Sequence, residues 1–167
     1  MLKDSNFKRK GLLSGNFLIF LVMLFVFVLV IIIGYKAFND LNTDLQLDTS
    51  LSNDSKQISD DLHNRYPSTF DGAFAVFMVL AWLAVMVSSF YVDSHPILFA
   101  VMLIVLVFIL FIATIFSNSY AEFMATDDFT GLETNFPMMH FVTNNLLIVG
   151  LVMGMSVVVA LFVKSRL

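Results

Sequence analysis

The sequence predicts an all-α integral membrane protein: four transmembrane helices in an antiparallel up-and-down bundle, the first extended beyond the bilayer as an amphipathic stalk. Three observations predict it. Long apolar runs occur four times in the 167 residues, at about 17–38, 70–92, 97–116 and 138–163. Crossing a hydrocarbon core of roughly 30 Å takes about 20 apolar residues in helical conformation, and each run supplies that length. Hydrophobic residues make up 59% of the chain and charged residues 13%. A soluble domain carries about 25% charged residues, so an ordinary water-soluble enzyme is excluded. Finally, charge is segregated. Six of the nine Lys and Arg residues (Lys3, Lys8, Arg9, Lys10, Lys164 and Arg166) flank the spans on one side, whereas eleven of thirteen acidic residues fall on the other. Basic residues resist translocation, so both termini are expected in the cytoplasm and segments 39–69 and 117–137 outside. An even number of crossings gives the same answer. The whole chain reads as a single four-span membrane domain in a cell inner membrane or a virion membrane.

The first span follows a basic cluster, as a secretory signal does. Its apolar run exceeds the 7–15 residues of a signal core, and no A-x-A-like site follows, so it is expected to be retained. Lys3, Lys8, Arg9 and Lys10 are candidate contacts for anionic lipid headgroups, worth about 1 kcal/mol each near the surface. Lys36 closes the span where its flexible stem can reach water. Beyond it Phe38, Leu41 and Leu45 recur at helical spacing, with Asp40, Asp44 and Asp48 on another flank, which predicts the stalk. A break is expected over 49–53. Asp54 with Gln57 resembles an N-terminal capping pair, Ile58 and Leu62 give an i,i+4 apolar contact for a short second helix, and Pro67 should end it.

Asp93-Ser94-His95-Pro96 is too short a link between spans two and three for anything but an antiparallel helical hairpin. Ser94 or His95 can cap the incoming helix, with Pro96 in its first turn, so His95 reads as punctuation rather than a ligand. The 117–137 segment carries Glu122, Asp127, Asp128 and Glu133 but no Lys or Arg. Its aromatics Tyr120, Phe123, Phe129 and Phe136 suit a loop lying at headgroup level.

No charged residue sits centrally in any span, which removes most support for a proton pump, a voltage sensor or an ion-coupled transporter. Asp71 stands at the outer end of span two. In span four His140, Thr143 and Asn144 share a face. They are candidates either for interhelical hydrogen bonds or for a small polar site at the outer mouth, where Asp71 or Glu122 could join them. Gly150 and Gly154 form a G-x-x-x-G, and Ala84 with Ser88 a weaker small-x-x-x-small pair; both are candidate helix-packing seams within the bundle or toward another subunit. No cysteine is present, and His140 with scattered carboxylates lacks metal-ligand spacing, so no metal or other cofactor is expected. Nothing resembles a catalytic triad, a phosphate-binding loop or a basic groove; the acidic outer segments would repel nucleic acid.

The hairpin Asp93-Ser94-His95-Pro96-Ile97, leading into an apolar helix that closes with Ser117-Asn118-Ser119-Tyr120-Ala121-Glu122-Phe123, resembles small multi-pass membrane proteins of bacterial viruses, including those whose particles contain lipid. The likeness covers residues 93–123 and carries over no functional residue. It implies a non-enzymatic structural or assembly protein of a virion membrane, partnered by lipid and by membrane proteins, capsid proteins or copies of itself. The alternative is a holin-like pore former or a small accessory subunit of a channel or transport complex. A pore former should show a polar face along a whole span, and only the outer part of span four has one.

Overall fold

The computed structural model describes residues 4–90 and 96–164, with side chains from 18–89 and 100–164. Five α-helices follow in order: α1 Asp4–Leu47, α2 Asn53–Phe90, α3 Pro96–Met124, α4 Pro137–Asn144 and α5 Leu146–Lys164. A short 3-10 turn, Leu132–Asn135, precedes α4, and no strand occurs among the described residues. Four helical stretches are long and apolar enough to cross a bilayer: Leu18–Leu47, Asn53–Ser89, Ala100–Met124 and Leu146–Lys164.

Helix α1 runs unbroken to Leu47, and α2 returns along it. Asn42 meets Ser59, whose Oγ donates to Asn42 Oδ1 at 2.7 Å. Farther out, Gln46 Nε2 donates to Lys56 O at 2.9 Å while Lys56 Nζ donates to Gln46 O at 2.7 Å. Toward the bilayer the ring of Tyr35 stacks on His63 at 5.2 Å, and Phe27 faces Phe74 at 6.5 Å. This seam differs from the expected apolar stripe. Leu41 is 52% exposed whereas Asn42 is 7% exposed. The reason is the aromatic packing of Tyr35 and Phe38 on His63 and Tyr66, which sets the register and brings position 42 to the centre, where Ser59 donates to its side-chain oxygen.

Pro67 does not end a helix. It is buried inside α2, so the expected short outer helix and span two are one element. Proline deprives the preceding turn of one hydrogen bond, but here the helix packs on α1 over several turns either side, which outweighs that local loss. The cap of α2 also differs: Ser52 Oγ accepts from the Ser55 amide at 3.3 Å, and Asp54 sits within the first turn, at the positive end of the helix dipole. Ile58 and Leu62 are both exposed.

The expected fourth span is two helices. At Asn145 the backbone leaves helical geometry (φ −117, ψ 31), and its amide and side-chain Nδ2 both donate to Phe141 O, at 3.1 and 2.8 Å. The neighbouring carbonyl of Asn144 receives the Ser117 hydroxyl of α3. A side chain of the same helix and one of a neighbour thus satisfy groups that the break exposes. Segment 117–137 is likewise not one loop: α3 stays helical to Met124, and only the remainder folds as a compact connection. There Gly131, at φ 90, supplies the left-handed turn, and Glu133 Oε2 accepts its amide at 2.8 Å.

In the apolar interior α5 lies against α3. Gly150 and Gly154 are buried on the side of α5 that faces Leu110 and Leu106; a methyl at Gly150 would stand 3.5 Å from Leu110 Cδ2, while one at Gly154 would overlap the end of Leu106. Ala84 and Ser88 behave otherwise. Both are exposed, because α2 turns Val85 and Ser89 inward, and Ser89 is 1% exposed with its hydroxyl donating to Met86 O at 2.6 Å. Between α2, α3 and α5 an apolar cavity of about 70 Å³ remains, lined by Ser89, Leu106, Ile109 and Gly154 among others.

Candidate functional site

The end of the bundle that carries the α1–α2 turn gathers most of the polar side chains that the sequence singled out. Asp71 is central and 6% exposed. Its Oδ2 accepts from the Met138 amide at 3.0 Å and its Oδ1 from the Met139 amide at 2.8 Å. Helix α4 has no cap of its own, because Phe136 precedes it and Pro137 opens it. A carboxylate from α2 therefore does across the fold what an N-cap serine or aspartate does locally. Two orphan amides find acceptors, and the negative charge lies on the positive end of α4. Asp71 is thus a buried tertiary cap, not a residue reaching for water from a helix end.

His140 directly follows Met139 on α4, and its Nδ1 is 3.3 Å from the hydroxyl of Tyr120. Tyr120 and Phe136, expected at headgroup level, are fully buried, and Phe123 stacks on Phe129 at 4.3 Å. These aromatics plug the bundle instead of lying in lipid, because α4 and the connection fold back over it. Thr143 is also fully buried, and its hydroxyl meets no hydrogen-bond partner among the described residues. Asn144 is exposed and contributes its backbone carbonyl. Glu122 is exposed on α3 and makes none of these contacts. Of the five polar residues expected to meet at the outer mouth, Asp71 and His140 hold partners on other elements through their side chains, Thr143 is enclosed, and Asn144 and Glu122 stay outside the cluster.

Sequence reasoning missed Ser117 and the pairing of Tyr120 with His140. Ser117 closes an apolar run, and a hydroxyl there is a signal that a carbonyl lies near, although it does not say which. Above the cluster, Tyr35, His63, Tyr66 and Phe136 form an aromatic layer, with Phe136 set edge-on to Tyr35 at 5.3 Å and to Tyr66 at 6.5 Å. Lys8, Arg9 and Lys10 fall on the first turns of α1, whereas Lys3 and Asp93-Ser94-His95 lie outside the described residues. Pro96 opens α3, the position where its missing amide costs nothing.

Fold and site together define a multi-pass helical membrane protein in which polar contacts lock one end of the helices. No family model, curated protein sequence or solved structure matches this chain.

Proposed function

We propose that the chain is a non-enzymatic membrane scaffold: an up-and-down bundle with both termini cytoplasmic, assembling with copies of itself or with other membrane or capsid proteins. The observation that carries this reading is the use made of the polar residues. Asp71 of α2 and Ser117 and Tyr120 of α3 engage backbone groups or His140 and hold α4 against those two helices. What the molecule offers outward is then a fixed, acidic surface on a preorganised support. The narrower form of the proposal, a component of a virion membrane, rests on the resemblance of residues 93–123.

Purification from native membranes in mild detergent, followed by native mass spectrometry, tests the reading. A stoichiometric complex, with itself or a partner, is expected; a lone protomer with no stoichiometric companion overturns it. Orientation is testable separately, since the chain has no cysteine and single cysteines at Ser5 and Ser55 can be labelled from either side. Ser55→Cys should react from outside and Ser5→Cys only after permeabilisation.

One observation favours the second reading, an accessory subunit or pore former. Within the spans of α2 and α3 only 11% and 17% of the residues are buried, against 33% for α1 and 39% for α5, so these two helices have the most surface left for further helices. Conductance in liposomes, with Asn144→Leu as the control, distinguishes this reading from a non-conducting scaffold.

A further inference from the structure

Most exposed apolar side chains here lie in stretches that lipid can cover, but those of the outer hairpin extend beyond the apolar runs. Leu41 and Leu45 each precede a seam residue of α1, Asn42 and Gln46, by one position; Ile58 and Leu62 precede Ser59 and His63 of α2 in the same way. In an antiparallel pair, one step back from the seam turns the side chains of both helices to the same side. Because Asn42 lies opposite Ser59, Leu41 falls between Ile58 and Leu62 in height, and the four make one continuous ridge. Leu41, Ile58 and Leu62 are 52%, 63% and 58% exposed. The other side of the hairpin is occupied: Asp71 follows the α2 residue Phe70 by one position, and there α4 is seated.

The rim of this ridge is acidic. Asp44 stands one turn from Leu41, Asp54 and Asp61 each one turn from Ile58, and Arg65 one turn from Leu62; all four are exposed. The charges of the two nearby lysines are offset by other carboxylates: Lys36 pairs with Asp40 at 2.8 Å, and Lys56, donating to Gln46 O, lies in the field of Asp48. Three carboxylates against one guanidinium disfavour a second copy of the same face and favour a cationic occupant. An apolar ridge with charged edges on a two-helix support has the form that receives an amphipathic helix. We propose that the outer face formed by Leu41, Leu45, Ile58 and Leu62 docks a basic amphipathic helix of a partner protein. This rests on the reading of the chain as an assembly component and adds the chemistry of the partner.

The full chain in nanodiscs of uncharged phosphatidylcholine, titrated with a fluorescent amphipathic helix built of leucine and lysine, tests the proposal. Binding should exceed that of empty nanodiscs by about tenfold or more and should weaken as salt rises. Ile58→Ser with Leu62→Ser should abolish the excess; Asp44→Asn with Asp54→Asn should reduce it and flatten the salt dependence. The substituted positions are exposed, and circular dichroism checks that helix content is kept. Equal binding to empty and loaded nanodiscs, or excess binding that survives the serine pair, overturns the proposal. So does a spin label at Ile58→Cys reporting lipid instead of water, or cross-linking of that cysteine between two copies. Each of these leaves the scaffold reading standing, because partners could still meet the lipid-facing sides of α2 and α3.

Discussion

Where α5 lies on α3 the helices meet through shape, and where α4 meets α2 they meet through hydrogen bonds from a charge. Gly150 and Gly154 let α5 approach Leu110 and Leu106 with no polar group involved, whereas Asp71 holds α4 by two backbone amides. The difference follows from the solvent. In acyl chains apolar contact offers little preference for protein over lipid, so close packing of small residues does the work. Helix α4, eight residues long, is too short to stand alone and needs its terminus satisfied.

The largest expected effect breaks the polar side of this contrast. Asp71→Ala leaves two amides, one buried and one partly buried, without an acceptor and should cost about 3 kcal/mol, given the worth of hydrogen bonds to charged groups. Asp71→Asn keeps one acceptor oxygen and should cost about half as much. Thermal unfolding in micelles reads the total, and hydrogen exchange at Met138 and Met139 locates it; unchanged exchange there would remove the cap from the account.

The packing side is sharpened by a graded pair. Gly154→Leu should destabilise by about 2 kcal/mol through overpacking against α3. Gly154→Ala should cost less than about 1 kcal/mol, since the end of Leu106 can swing into the adjoining cavity. Equal costs for the two would mean that Leu106 cannot move. A smaller loss, about 1 kcal/mol, is expected from Ser117→Ala, which strips the carbonyl of Asn144 of its partner. Leu110→Ala should leave that exchange pattern intact and loosen only the packing.

The smallest effect concerns the turn between α1 and α2. The hydroxyl and amide of Ser50 hold the Asp48 carboxyl below its ordinary value. A folded pKa below the unfolded one makes the contribution present above the unfolded value, and it fades as pH falls through the lower, folded value. Carbon-detected NMR titration should find Asp48 titrating at lower pH than it does in Ser50→Ala.

Hydropathy made the four spans legible because the bilayer imposes a length on each, and Gly150 with Gly154 stood out as a G-x-x-x-G inside the last apolar run. Partners distant in sequence were not legible. Asp71 and its two amides are separated by most of two spans and a connection, and no periodicity links them. Local rules misled where tertiary packing prevailed: Pro67 lies within a helix anchored on both sides, Asn42 displaces Leu41 from the seam, and Ala84 with Ser88 face away from the bundle while Ser89 faces in. The halt at Asn145 is written in the Asn144-Asn145 pair, but two adjacent amides suit the polar face of a continuous helix as well as they suit a break.

The cap on α4 also implies an order of events during synthesis. Helix α2 leaves the ribosome well before Met138 and Met139 exist, so the carboxylate of Asp71 must wait for its partners while α3 is made and inserted. The pairing closes only when the last part of the chain arrives. A polypeptide halted before α4 would keep an unpaired acid on α2, a chemical mark by which an unfinished molecule differs from a finished one.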